Sequence, residues 1–461
     1  MKKFLKNLWI AIRGEETEFV TGSLNRAIFM LAVPMILEMS MESLFAVVDV
    51  FFVSKVGVNA VATVGFTESV LTLVYSIAWG LSMGATAMVA RRIGEQDREG
   101  ASSAAAQAIW IGVTLSLLLG IPGYFYADEV LRAMGGSETL IHEGRWYTKI
   151  LFGSNIVILL IFLLNGIFRG AGNAAIAMRT LWISNGLNLI LDPCLIFGWG
   201  PFPEMGVAGA ALATSIGRGT GVLFQLYHLF WGKDIIRIAG RHLKVLWSVI
   251  MRLFRVSIGG MGQFIIGSSS WIFLMRIIGF FGEEVVAGYT IAIRVLIFTL
   301  LPAWGMANAA ATLVGQNLGA SQPERAERSV WKTAHYTMLF MLGVSILYFI
   351  FAKPIMLLFN PDPVVVNNGI LSLRIICAGY LFFAYGMVIS QAFNGAGDTF
   401  TPTLLNLVCF WFMQIPLAYF MGITWGFGPS GIFAAVAISE SVLAVLCVIV
   451  FRRGRWKSIS I

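Results

Sequence analysis

Phe168-Arg-Gly-Ala-Gly-Asn173 and Phe393-Asn-Gly-Ala-Gly-Asp398 are one six-residue turn written twice, 225 residues apart. The interval recurs. Ala87–Gly94, in the context ATAMVARRIG, returns as Thr312–Gly319 in AATLVGQNLG, and Val61-Ala62 returns as Val286-Ala287, both at 225. Gly206-Val-Ala-Gly209 returns as Gly428-Pro-Ser-Gly431 at 222. One loose match means little, but several in the same order at nearly one offset signify an internal duplication. In a chain of 461 residues each copy is close to half the molecule.

Composition says what the copies are made of. The chain is 58% hydrophobic and 12% charged, with mean hydropathy +0.81, whereas soluble domains carry about 25% charged residues. Crossing the hydrocarbon takes about 20 mainly apolar residues per helix. Twelve such stretches centre near Glu42, Tyr75, Thr114, Ile158, Leu187, Gly219, Gly267, Phe298, Met341, Leu381, Met413 and Ala444. The expectation is an all-α polytopic membrane protein with 12 transmembrane helices in two six-helix lobes. An even number of spans per copy gives both lobes one orientation, related by a pseudo-two-fold axis along the membrane normal.

Loop charge predicts the topology. On the side of the N-terminus fall Lys2, Lys3, Lys6, Arg13 and Arg26, then Arg91, Arg92 and Arg98, then Arg169 and Arg179. Lys233, Arg237, Arg241, Lys244, Arg325, Arg328, Arg452, Arg453, Arg455 and Lys457 join them. The other side has Lys55, Arg132, Arg145 and Lys353 among more numerous acids, such as Asp128, Glu129, Glu283 and Glu284. Both termini are therefore expected in the cytoplasm, as in a multi-pass protein of a prokaryotic inner or plasma membrane. The divisions are a cytoplasmic N-terminal segment (1–26), an N-lobe (27–231), a cytoplasmic amphipathic connector (232–248), a C-lobe (249–451) and a basic tail (452–461).

Other classes fit poorly. The net charge of +8 is spent on membrane topology, so no nucleic-acid partner is expected; the partners are the lipid bilayer and small amphipathic molecules, for a monomer. No G-x-x-x-x-G-K-[ST] loop is present for ATP, and His142, His228, His242 and His335 form no H-E-x-x-H pair. Cys194, Cys377, Cys409 and Cys447 sit in apolar runs as packed thiols. The N-terminus mixes Lys2, Lys3 and Lys6 with Glu15, Glu16 and Glu18 and lacks a cleavable signal. No cofactor and no enzyme activity are expected.

Pro34 with Asp49, followed by Phe51-Phe52-Val53-Ser54-Lys55-Val56-Gly57, resembles the first helix of the multidrug and toxic compound extrusion (MATE) family. Gly84–Gly94, the two glycine turns and Gly206–Thr214 match it too, so the resemblance covers essentially the whole chain. It implies two six-helix lobes around a central cavity and export of amphipathic, often cationic, compounds in exchange for Na⁺ or H⁺. A carboxylate-bearing C-lobe marks one branch; here the position equivalent to Glu38 is Gln263, and Asp49 fits the DinF-like branch with its cation site in the N-lobe. The alternative is a flippase for a lipid-linked precursor, which a cationic cavity with Arg276 and Arg294 would favour.

Carboxylates at membrane depth cost about 2.5–3.5 kcal/mol each on insertion scales. Glu38, Glu42 and Asp49 fall within about 40° of one another on the first helix, at 100° per residue. Asn185, Asn188 and Asp192 stripe the fifth helix, and Ala210 and Thr214 lie one turn apart on the sixth. Carboxylate, amide and hydroxyl oxygens are hard ligands suited to Na⁺, while two close carboxylates can instead share a proton. Matched to the family motif, the cation site is Asp49, Asn188, Asp192 and Thr214, with the Ala210 carbonyl as a weaker ligand. Tyr147 takes the fourth-helix position. Glu38, Glu42, Tyr147, Asn185, Gln263 and Arg294 are candidates for proton or substrate contact, Arg294 and Gln263 lining the cavity or forming a structural polar cluster. Arg276 is expected to snorkel toward Glu283 or Glu284, and Glu440 to be functional or paired with an arginine. Pro34, lacking an N–H, is expected to kink the first helix. The 35 Phe, 20 Met and 14 Trp suit an adaptable cavity, though none can be assigned to substrate.

Overall fold

A computed structural model describes residues 2–14, 19–232 and 234–461. Glu15, Glu16 and Glu18 of the N-terminal segment and Lys233 of the connector lie outside the described residues. The first copy comprises Leu24–Ser54, Val58–Gly94, Arg98–Phe125, the bent pair Glu138–Gly153 and Asn155–Gly170, Ala174–Phe197, and Val207–Trp231. The second comprises Trp247–Ile278, Glu283–Gly319, Pro323–Phe359, the bent pair Pro363–Ala378 and Tyr380–Ala396, the composite span Phe400–Thr424, and Gly428–Arg452. Among the described residues, nine helices are long and apolar enough to cross a membrane, or eleven with each bent pair as one span. Leu24–Ser54, at 31 residues and so about 46 Å long, completes twelve. The chain is an all-α multi-pass membrane protein.

The duplication is visible in the breaks. The fourth span bends by 42° at Ser154 and the tenth by 57° at Gly379, positions 225 apart. Symmetry fails in the eleventh span, where α-helix alternates with π-helix at Leu407–Gln414 and Phe420–Thr424 around Pro416. A proline inside a helix removes one bond of the ladder, and a widened turn absorbs the mismatch. The fifth span, its counterpart, is one α-helix. The first span also runs as one helix through Pro34.

The lobes meet across paired contacts. The first span packs on the eighth as the seventh packs on the second, and the second packs on the eighth at the axis. Glycines make this approach possible. A Cβ on Gly80 would lie 2.6 Å from the Met261 nitrogen, and one on Gly305, its copy, 2.5 Å from the Met35 carbonyl oxygen. A Cβ on Gly94 would lie 2.0 Å from the Gln316 carbonyl oxygen, and one on Gly319 2.1 Å from that of Arg91. The second two contacts map onto each other under the repeat, and the first two do so to within one residue. These contacts lie in the half of the bundle nearest the termini, so the lobes are closed at that end. Gly94→Ala is expected to cost about 1–3 kcal/mol through forced backbone displacement. Thermal unfolding in detergent would read this, and an unchanged midpoint would mean the contact yields freely.

Both terminal segments cross the same closure. Arg179 of the N-lobe donates to the Ile12 and Arg13 carbonyls, each at 3.0 Å, and Arg325 of the C-lobe donates to the Gly22 and Thr21 carbonyls at 3.0 and 2.9 Å. In return, Arg91 of the N-lobe reaches the Ile459 carbonyl in the C-terminal tail at 2.8 Å. The connector is amphipathic with a strand-like period: Ile236 and Ile238 are buried while Arg237 is exposed, and its only helical turn, among the described residues, is Gly240–Leu243. The seventh span begins at Trp247, two residues earlier than the sequence suggested.

Candidate functional site

Of the three carboxylates of the first span, Glu38 and Glu42 each meet a different N-lobe arginine, and Asp49 meets none among the described residues. Glu38 is fully buried. Its Oε1 accepts from Arg169 Nη1 at 2.8 Å and from Asn165 Nδ2 at 3.2 Å. Asn165 Oδ1 accepts from Gln225 at 2.6 Å, and Arg169 Nη2 also donates to Ser82 Oγ at 2.9 Å. One turn on, Glu42 accepts from Arg218 at 3.3 Å and from Asn185 at 3.1 Å. The Arg218 guanidinium lies over the rings of Phe45, Tyr75 and Phe162 at 5.4–5.9 Å, which hold its orientation and stabilise its charge where water is scarce.

Asp49, two turns further, has no ion pair or hydrogen bond among the described residues. The ionisable groups near it are Asp192, Glu68, Tyr147 and Arg218. Behind it, Asn188 joins the fifth span to the sixth. With its amide nitrogen toward Asp192 Oδ2 at 3.0 Å, its oxygen accepts from the Thr214 N–H at 3.1 Å and hydroxyl at 3.2 Å. Small residues allow that proximity: a Cβ on Gly217 would meet the Ser184 carbonyl oxygen at 2.6 Å and one on Gly209 the Leu195 carbonyl oxygen at 2.4 Å. Ala210 and Tyr147 are buried. The structure therefore joins Asn188, Asp192 and Thr214 by hydrogen bonds, with Asp49 and Tyr147 in electrostatic reach.

The charges divide into two groups. Glu38 and Glu42 are neutralised by Arg169 and Arg218. Asp49, Glu68 and Asp192 have no direct ion pair among the described residues, so ionisation of all five leaves an excess of three negative charges. No group of three or more His, Cys, Asp or Glu among the described residues could hold a metal ion. A bound cation would therefore need the two aspartates supplemented by amide, hydroxyl and carbonyl oxygens, a donor set of hard character.

The C-lobe solves the same packing problem without charge. Gln263 Nε2 donates to Asn394 Oδ1 at 2.9 Å and to the Thr399 carbonyl at 3.1 Å, and Asn394 Nδ2 returns a bond to Gln263 Oε1 at 3.2 Å. Gln263 and Asn394 are the repeats of Glu38 and Arg169. Gln263 is thus tied into a polar cluster with Asn394 and Thr399, whereas Arg294 is exposed and makes no bond to it among the described residues. No arginine pairs with Glu440, and neither Glu283 nor Glu284 pairs with Arg276, among the described residues. Two arginines assigned to surface loops, Arg91 and Arg169, are buried; both end helices at a lobe contact, where backbone carbonyls and Glu38 receive them. Sequence reasoning passed over Glu68 and Arg218. Each interrupts an apolar stretch, which at membrane depth is the signal that would have found them.

Two lobes related by an internal repeat, closed at one end and with ionisable groups concentrated in one, define a polytopic membrane transporter. The MatE family model matches residues 34–194 and 261–420, once in each lobe. The chain belongs to the MATE family of transporters and is not an enzyme. It is 26% identical over 439 residues to the "Probable multidrug resistance protein NorM" of Thermotoga maritima, covering 94% of this chain and 93% of that protein. It is 24% identical over 406 residues to the "FAD transporter" of Shewanella oneidensis, covering 87% and 89%. Among solved structures, the "Outward-facing conformation of a multidrug resistance MATE family transporter of the MOP superfamily" matches with a TM-score of 0.89 at 27% identity, covering 95% of this chain and 98% of that one.

Proposed function

We propose that the protein is a multidrug exporter that moves amphipathic, often cationic, compounds out of a prokaryotic cell by alternating access, in exchange for Na⁺ or H⁺. The observation that carries this reading is the set of N-lobe carboxylates, Asp49, Asp192 and Glu68, without a fixed counter-ion among the described residues. Such a set stays ionised at membrane depth only with a cation from outside, and otherwise takes up protons. The coupling site is Asp49, Asn188, Asp192 and Thr214, with the Ala210 carbonyl as a weaker ligand; Glu42 and Glu38 are held by their arginines. The N-lobe placement and the all-amide C-lobe pair fit the DinF-like branch. Both termini face the cytoplasm, the protein works as a monomer in the plasma membrane, and the closed end is the cytoplasmic gate. Pro34, inside the unbroken first span, is the point at which a change of occupancy at Asp49 would bend the helix, reshaping the N-lobe and expelling substrate. An anionic lipid-linked cargo would meet the same negative excess, which disfavours the flippase reading.

The test is dye efflux from proteoliposomes under an imposed Na⁺ or pH gradient. Efflux driven by at least one gradient and absent without either is expected. No movement under both would overturn antiport.

A further inference from the structure

The seventh and eleventh spans touch near mid-depth and part toward the face opposite the termini. Trp411 Nε1 donates to the Ile266 carbonyl at 3.3 Å, and its ring meets Phe273 edge-on at 5.1 Å. Beyond that contact lies a cavity of about 380 Å³ between Phe273, Arg276, Ile277 and Phe280 on one side and Ile415, Pro416, Tyr419 and Phe420 on the other. Its volume is roughly twelve times the ~30 Å³ that a water molecule occupies in the liquid. The eleventh-span wall is the short α-helical turn Ile415–Tyr419 and the first residue, Phe420, of the π-helical segment after it; a second π-helical segment precedes the turn, an irregularity often found at functional sites.

Every lining side chain but one is apolar or aromatic. The exception is Arg276, which is exposed, has no carboxylate partner among the described residues, and sits two residues before its helix ends at Ile278. That is about 3 Å along the axis, so it stands in the last turn of the span, the part of a membrane helix that meets the headgroups. The cleft is also open, and Phe280, Tyr419 and Phe420 on its rim are exposed on a helix pair that the bilayer surrounds. Water would gain almost no hydrogen bonds here, whereas a chain with an anionic end satisfies both the apolar walls and the guanidinium. A phosphodiester takes paired N–H donors from arginine.

We infer that this cleft is a lipid site: an anionic phospholipid of the leaflet opposite the termini places its phosphate on Arg276 and one acyl chain between the seventh and eleventh spans. The acyl chain fills the recess between Phe273, Ile277, Ile415 and Phe420 and braces the eleventh span against the seventh. The site lies on the C-lobe, apart from the N-lobe carboxylates, and does not depend on how transport is coupled.

Native mass spectrometry of the full chain in detergent tests it, with phosphatidylglycerol and phosphatidylcholine of identical acyl chains as probes. Phosphatidylglycerol adducts are expected to exceed phosphatidylcholine adducts by about fivefold or more, the equivalent of ~1 kcal/mol. The preference is expected to disappear in Arg276→Gln, while Ile415→Trp, which fills the recess without touching charge, reduces retention of both lipids. Arg132→Gln, an exposed arginine engaged with Glu138 instead, is the control and is expected to leave the preference intact. Equal retention of the two lipids by the unmodified chain, or an unchanged preference in Arg276→Gln, would overturn the assignment. So would loss of the preference in millimolar inorganic phosphate with no fall in lipid retention, which would make Arg276 a site for a free anion.

Discussion

Asp49→Asn is expected to lower gradient-driven efflux by about 5- to 150-fold, the range that a coupling free energy of 1–3 kcal/mol spans, while the protein still folds. The substitution keeps the shape of the side chain and removes its charge. Nothing among the described residues depends on Asp49 as a hydrogen-bond acceptor, so little stability is at stake. What is lost is the mutual repulsion of Asp49 with Asp192 and Glu68, the feature that makes an entering cation or proton release free energy to the conformational change. Asp192→Asn is expected to act similarly on efflux but to cost more stability, because Asp192 accepts from Asn188. Glu42→Gln separates the roles. Its charge is already matched by Arg218, so a smaller effect on coupling is expected. Measured in proteoliposomes under Na⁺ and pH gradients separately, unchanged efflux in Asp49→Asn under both would remove the coupling site from the N-lobe.

Much of the architecture was legible because it depends on quantities a sequence displays directly. Apolar run length gave the spans, and repeated glycines gave the duplication that the Gly80 and Gly305 contacts confirm. The residues on one face of the first helix could be placed by angle, and Asn188, Asp192 and Thr214 do come together. Partner choice was not legible. Arg169 follows an apolar run and precedes a glycine turn, which reads as a loop charge, yet its long side chain folds back into the lobe to reach Glu38. Arg91 likewise turns into the closure and holds the C-terminal tail. Arg218 and Glu68 each stand alone in an apolar stretch and belong to no repeated motif. The π-helical turns of the eleventh span arise from how one proline is accommodated against neighbouring helices, which no local pattern specifies. The connector was legible as amphipathic, and its apolar residues recur every second position, as Ile236 and Ile238 do.

The exchange of Glu38 and Arg169 for Gln263 and Asn394 at one repeat offset makes the second large effect. Arg169→Asn removes the cation from a fully buried carboxylate and is expected to destabilise the protein by about 3–5 kcal/mol, the usual consequence of orphaning one member of a buried ion pair. The asparagine cannot compensate a full negative charge, although its amide can donate. Glu38→Gln in the same chain removes that charge and restores the arrangement the C-lobe uses, where Gln263 and Asn394 bond reciprocally. The double variant is therefore expected to recover about 2–3 kcal/mol, a coupling energy within the range for directly contacting residues. A thermodynamic cycle over the two single variants and the double, read by thermal unfolding in detergent, tests this. Additive losses would show that the two pairs only coincide in sequence. Coupled losses would show that a neutral amide pair suffices for packing here, as it does in the C-lobe. The ion pair would then add something other than stability: Thr312 of the C-lobe donates to the Arg169 carbonyl at 3.0 Å, so protonation of Glu38 would loosen an arginine that stands directly at the closed contact between lobes.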